Sequence, residues 1–344
     1  MPPQMPNIKM PPWLNQYQEK LDLWTEKAVR SLLEVACWFG KGKEIAANNY
    51  ALGMQHQKTG DFSDAVMRFK MVTWIEPKNI QAWYHLGNSF AALGKKPNAA
   101  MAYRQVLVLK PDHEEAAYML AMARGKKSGA ADMPRTIPMA LALAHFEGQA
   151  LAYNKQQLEI YGYQGHKQIV AAIRSQIAQG RMDHKMLDLG VGTGLCGPLV
   201  RDIASQLIGV DISEKMLIEA RQLKDGSGNK IYDALYKRDL RDFLREAQPG
   251  SYDIVIAADV LSYVGDLTDS MAQIARVLSP GGIVALTVSK GADAGMVFAP
   301  DEGRFIYSRD YLQQLAQANG LTVKTCEETQ AYASYAMWLG VFKK

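Results

Sequence analysis

Four short apolar runs punctuate the second half of the chain: MLDL (186–189), LIGVDI (207–212), YDIVIAA (252–258) and GIVALTV (282–288). Each is bounded by stretches whose apolar residues recur three and four apart. A continuous apolar run of this length suits a strand buried on both faces. Its alternation with helical patterns predicts a mostly parallel sheet with helices on both sides. LTVKTCEET and SYAMWLGVF, near the end of the chain, predict a final strand pair. Before residue 180 the period is helical. Residues 14–38 place Leu14, Tyr17, Leu21, Trp24, Val29, Leu32 and Leu33 on an amphipathic helix, and 139–180 is helical again.

Between these lies a self-similar pair. Residues 46–79 and 80–113 align without a gap at a 34-residue period, superposing Gly53 on Gly87, Ala65 on Ala99, Phe69 on Tyr103 and Pro77 on Pro111. Leu52/Leu86 and Gly60/Gly94 agree as well, and 114–125 begins a third copy with Leu120 and Ala121 in register. Small residues let two helices cross closely, an aromatic fills the gap, and proline stops the second helix. The period and these positions resemble the tetratricopeptide repeat, which implies an α-helical solenoid. Its groove would carry Tyr50, Tyr84 and Tyr118, with Met54, Asn88 and Met122 one turn on. That face predicts a protein or peptide partner of uncharged, aromatic character, or else simple packing of the tyrosines.

GKKSGAADMPRTIP (125–138) is small, polar and broken by proline, as linkers are. The expected organisation is a flexible segment 1–13, helix and repeats over 14–125, a linker 126–138 and an α/β domain 139–344. Composition adds exclusions. Of 344 residues, 48% are hydrophobic and 22% charged, and the net charge of +4 is too small to argue for nucleic acid or an acidic membrane. Cys37, Cys196 and Cys326 form no paired spacing, which disfavours a zinc site or a disulfide framework and suits a reducing compartment. With no apolar signal segment and no spanning run, the expectation is a cytoplasmic protein.

The chemistry concentrates at MLDLGVGTGLCG (186–197). Glycines after a first strand let a ligand touch backbone, at the switch point where open parallel sheets bind small molecules. GTGLCG satisfies the dinucleotide pattern, so NAD is one reading. Asp188 argues against it, because a carboxylate there repels pyrophosphate and attracts an ammonium or sulfonium. Asp211, ending the second strand with Ile212 after it, is placed to accept two ribose hydroxyls. Met216 follows to lie against a purine, and Asp239, beside Leu240, is an acceptor for an exocyclic amine. Ammonium, ribose and adenine amine together describe S-adenosylmethionine.

LDLGVGTG, GVDIS, RDL, YDIVIAADVLSYV and LSPGG together resemble the class I S-adenosylmethionine-dependent methyltransferases. HFEGQALAYNKQQLEIYGYQ and GRFIYSRDYLQQL, with the repeats, are similar to a bacterial group of predicted methyltransferases containing tetratricopeptide repeats. The resemblance implies a Rossmann-like domain, a cofactor held by Asp188, Gly190, Gly192, Gly194, Asp211, Ile212, Met216, Asp239, Leu240 and Asp259, and methyl transfer to an acceptor the sequence does not name. That group usually carries a histidine where Tyr307 stands. Candidates for the chemistry are His145, Tyr153, Tyr263 and Tyr307, with Tyr161, Tyr163 and His166 in the same context. The rival reading is an adaptor whose α/β domain binds the cofactor without turnover.

Overall fold

A computed structural model describes residues 27–125 and 133–344, apart from 36, 39, 179, 292 and 293. The flexible segment expected at 1–13, the first half of the 14–38 helix and most of the 126–138 linker lie outside the described residues. The chain divides into two compact units, Met1–Arg124 and Gly125–Lys344.

The first unit is helical throughout: α1 (27–35), α2 (Gly42–Thr59), α3 (Phe62–Ile75), α4 (Ile80–Ala92), α5 (Lys96–Leu109) and α6 (Glu114–Arg124). From α2 onward each helix packs on the next. The pairs close on a missing side chain. A Cβ on Gly53 would lie 2.8 Å from the Phe69 ring, and one on Gly87 would lie 2.6 Å from the Tyr103 ring. The same contact thus recurs 34 residues later, with Ala65 and Ala99 fully buried beside it. Tyr103 is buried too, and its hydroxyl donates to Asn88 Oδ1 at 2.8 Å.

Tyr50, Tyr84 and Tyr118 are half-buried, and burial raises the pKa of all three. Tyr50 meets Phe69 edge-on at 5.7 Å, and Tyr84 stacks on His113 at 5.3 Å. These two rings therefore contribute to helix packing. Leu86 is buried between pairs, whereas Leu52, its counterpart one period earlier, is 38% exposed.

The second unit opens with α7 (Met139–Gln149), a 3-10 turn (Ala150–Ala152), a π-helical turn (Lys155–Ile160) and α8 (Gly165–Gln176). It continues as β1 (His184–Leu189), the one-turn α9 (Gly197–Val200), β2 (Ala204–Asp211), α10 (Glu214–Gln222), β3 (Ala234–Lys237), α11 (Leu240–Glu246) and β4 (Tyr252–Ala258). Then come α12 (Thr268–Val277), β5 (Leu278–Ser289), β6 (Met296–Ala299), β7 (Arg304–Tyr307), α13 (Arg309–Ala318), β8 (Thr322–Thr329) and β9 (Met337–Lys343).

Seven strands form one sheet in the order β3-β2-β1-β4-β5-β9-β8. The first five are parallel, and β9 runs antiparallel to both β5 and β8. Leu187, Leu189, Val255, Ile256, Val284 and Leu286 are all fully buried, as strands covered on both faces require. β6 and β7 pair as a separate hairpin, which the apolar pattern did not predict. Because β1 lies between β2 and β4, the chain reverses its direction of travel across the sheet there. That is the crevice where such sheets bind ligands.

Candidate functional site

A cavity of about 390 Å³ opens at the carboxyl ends of the parallel strands. Gly190, Gly192, Asp211 and Ile212 line it, as do Met216, Asp239, Leu240 and Asp259. Eight of the ten expected cofactor contacts therefore share one space. The volume falls within the range of ordinary small-molecule sites.

Local hydrogen bonding fixes the corner at the end of β2. Asp211 ends β2, and its Oδ2 accepts the Gly192 amide at 2.8 Å while Oδ1 accepts the Ser213 amide at 2.8 Å. One part-buried carboxylate thus ties the glycine loop to the next turn. Burial raises its pKa, with the amide bonds working against that. Ser213 caps α10 by accepting the Met216 amide at 3.2 Å, which sets Met216 in the cavity wall. The Ser213 hydroxyl donates to Glu147 Oε1 at 3.0 Å, and Thr193 donates to Asn154 at 2.5 Å. The segment from α7 to the π-helical turn is thereby fastened to both cofactor-side loops.

The glycines divide by role. A Cβ on Gly192, at φ +54°, would meet nothing within 4 Å, so its absent side chain faces open space. On Gly190 a Cβ would strike Val260 at 2.2 Å, and on Gly194 it would strike Leu223 at 2.6 Å. Gly194 is a packing glycine away from the cavity wall. Asp188 also lies inside the sheet. It is buried in β1, accepts the Tyr232 hydroxyl at 2.8 Å and is not part of the wall. Burial pushes its pKa up to about 7.

Asp239 caps α11, accepting the Arg241 amide at 2.7 Å and pairing with that guanidinium at 3.0 and 2.8 Å. Burial acts to raise its pKa, but the Arg241 bonds outweigh it and hold the carboxylate low.

His145, Tyr153 and Tyr263 line the cavity, as does Tyr161. Tyr307 does not. It is fully buried, with its hydroxyl 2.9 and 2.8 Å from the Leu261 and Gly265 carbonyls, so it braces the loop after β4. Tyr163 and His166 are likewise buried outside the wall. Burial, then the nearby Arg304, lowers the His145 pKa, and burial raises that of Tyr153.

Beyond Asp259 the structure adds residues that sequence reasoning missed. Asp259 alone among the described non-glycine residues has a positive φ, 55°. Strain of this kind persists where the surroundings over-determine it, commonly at functional sites. Its Oδ2 accepts the Tyr332 hydroxyl at 2.7 Å, and its Oδ1, shielded from solvent, has no hydrogen-bond partner. Burial raises its pKa, against Arg304 and Tyr332. Arg304 and Tyr335 share the wall with it. The available signal was GRFIY itself, an arginine opening an apolar run, but nothing in sequence ties it to a residue 45 positions earlier.

Among the described residues no cluster of three or more histidine, cysteine, aspartate or glutamate side chains is placed to hold a metal ion. No helix among them is long and apolar enough to cross a membrane. Residues 187–286, the span from β1 to β5, match the family model described as a methyltransferase domain. The ubiquinone biosynthesis O-methyltransferase of Thiobacillus denitrificans is 33% identical over 101 residues, 29% of this chain and 42% of that protein. Its namesake from Idiomarina loihiensis is 33% identical over 103 residues, 30% and 41% respectively. The chain thus spans less than half the length of these relatives. Among solved structures, the magnesium protoporphyrin IX methyltransferase of Synechocystis with bound S-adenosylhomocysteine is 15% identical. It covers 60% of this chain and 98% of that one, with a TM-score of 0.49. The family match places a methyltransferase domain over residues 187–286, within the unit that carries the parallel sheet and the glycine loop.

Proposed function

We propose that this chain transfers the methyl group of S-adenosylmethionine to an oxygen of its acceptor. The observation that carries this is the order Asp239, Asp211, Gly192, Asp259 along one cavity at the ends of β3, β2, β1 and β4. In that order Asp239 takes the adenine amine and Asp211 the ribose hydroxyls. Met216, Ile212 and Leu240 supply the apolar contacts of the base, and Gly192 leaves room for the amino-acid end. Bound there, S-adenosylmethionine supplies a methyl group on a sulfonium and departs as the neutral sulfide.

The chain's own residues then orient the acceptor and take its proton. Asp259 Oδ1, shielded and without a hydrogen bond, is the acceptor we assign. The O–H proton passes to it as the oxygen–methyl bond forms and the carbon–sulfur bond breaks. A carboxylate whose pKa burial has raised is better matched to that task near neutral pH. Oxygen as the accepting atom agrees with the O-methyltransferase relatives. Tyr153 and Tyr263 offer aromatic faces to a cationic sulfur. His145, held neutral, is the second candidate base.

The test is calorimetric titration of the full chain with S-adenosylmethionine, S-adenosylhomocysteine and NAD. Both sulfur ligands are expected to bind, NAD is not, and Asp211→Ala is expected to weaken binding by about 100-fold, the scale of two charge-assisted hydrogen bonds. Binding of NAD alone would sink the reading.

We further propose that α2–α6 are tetratricopeptide repeats that hold a protein partner or substrate. The support is the glycine–aromatic closure recurring at a 34-residue interval. A chain shortened to 125–344 that still binds S-adenosylhomocysteine and methylates the true acceptor as well as the full chain would refute that role. Cys37, Cys196 and Cys326 are all free, which supports a reducing, cytoplasmic location.

A further inference from the structure

Adjacent strands lie about 4.8 Å apart, so the four positions from Asp239 to Asp259 span roughly 14 Å of sheet edge. The cavity does not stop there. It continues to Arg304, which opens β7, and to Tyr335, on the connection between β8 and β9. This end lies past the cofactor stations and is lined by a different chemistry.

The Arg304 side chain is only 13% exposed. Its Nη2 donates to the Tyr335 hydroxyl at 2.8 Å, and its guanidinium carbon lies 5.0 Å from the centroid of that ring. Nη1 lies 3.5 Å from Asp259 Oδ1, and Nε lies 3.1 Å from Glu302 Oε2. The second contact is not an aligned hydrogen bond, since Nε is shut off from solvent without a hydrogen-bond partner. Buried donors are nearly always matched, so this one N–H, beside a misaligned carboxylate, is where a better-placed acceptor would fit. The planar fork of arginine fits the two oxygens of a carboxylate.

The other charges at the site favour the same occupant. Glu302 is 45% exposed, so its pairing is screened and weakly held. His145 is kept neutral by burial and by Arg304 itself. Arg238 and Arg241 line the opposite, adenine end, where they pair with Glu246 and Asp239. The walls near Arg304 are flat. Tyr332 stacks on Tyr335 with centroids 4.3 Å apart at 19°, and Phe146 meets Tyr263 edge-on at 5.0 Å.

Resting on the methyl-transfer reading, we propose that Arg304 binds the acceptor, and that the acceptor is a planar molecule bearing a carboxylate. Its two oxygens take the guanidinium N–H groups in place of Glu302, and its ring lies among the tyrosines. Asp259, on the cofactor side of Arg304, is left facing the acceptor's reacting hydroxyl.

The experiment titrates the full chain, with and without saturating S-adenosylhomocysteine, with three probes that share a ring and hydroxyl. These are 4-hydroxybenzoate, 4-hydroxybenzamide and 4-hydroxybenzylamine. The wild type is expected to bind the anion about tenfold or more tighter than the amide, the scale of a charge-assisted pair. Arg304→Gln is expected to erase that preference while leaving affinity for S-adenosylhomocysteine within about twofold. Glu302→Gln, at a half-exposed carboxylate, is expected to tighten binding of the anion by a few-fold, which a merely structural Arg304 would not produce. An anion bound no better than the amide or the amine, including failure of all three to bind, overturns the proposal. So does an Arg304→Gln chain that keeps the preference. Failure of the wild type to bind S-adenosylhomocysteine would instead refute the methyl-transfer reading, and the titration without it reads Arg304 independently.

Discussion

Asp188 is a carboxylate inside a sheet, and its surroundings decide its charge. With its pKa pushed up to about 7 from an ordinary 3.8, the folded chain keeps a proton that the unfolded chain has lost over that window. The sign follows. Stability from this group is fully present below about pH 4 and falls as pH rises towards 7, at up to about 1.4 kcal/mol per pH unit. Asp188→Asn keeps an acceptor for Tyr232 and removes the charge. Its unfolding free energy in urea should therefore match the wild type near pH 4 and exceed it near pH 8, and a difference that is flat across that range would contradict the burial argument. Sequence spacing ordered Asp211, Asp239 and Asp259 correctly along the strand ends, because each sits at or just beyond a strand terminus. It could not orient Asp188, which lies inside the strand, where alternate side chains point to opposite faces. Arg304 was beyond its reach for another reason: only a hairpin and a tertiary approach bring it to Asp259.

Elements were legible where their pattern was long or repeated. YDIVIAA coincides with β4, and the other three apolar runs fall on β1, β2 and β5 with ends shifted by a few residues. The β6–β7 hairpin escaped notice because its strands are four residues each, too short for alternation to separate strand from helix. Two glycine substitutions test how elements meet. Gly87→Ala places a methyl 2.6 Å from Tyr103, between two helices that cannot part without opening the pair. Chemical unfolding should register a loss of about 1–3 kcal/mol, typical of overpacking. In the loop after β1, Gly190→Ala should cost stability through both its φ of +64° and Val260, whereas Gly192→Ala, open to the cavity, should cost only the strain of its φ of +54° and add a loss of ligand affinity. Paired unfolding and S-adenosylhomocysteine titrations separate these. Equal effects of both substitutions on both readouts would refute the division of roles.

At the scale of the molecule, sequence indicated two halves of different period, and the structure divides after Arg124. Strand order was not legible from apolar pattern alone. Pattern fixes which segments are strands but not which become neighbours. The central claim is that one cavity across the ends of β3, β2, β1 and β4 receives the cofactor. Hydrogen–deuterium exchange of the full chain, with and without S-adenosylhomocysteine, tests it most directly. Slowed exchange at 190–194, 211–216, 238–241 and 258–263, with the helices of 42–124 unchanged, is the predicted result. Protection confined to those helices, or absent from the strand ends while the ligand is bound, would contradict the account.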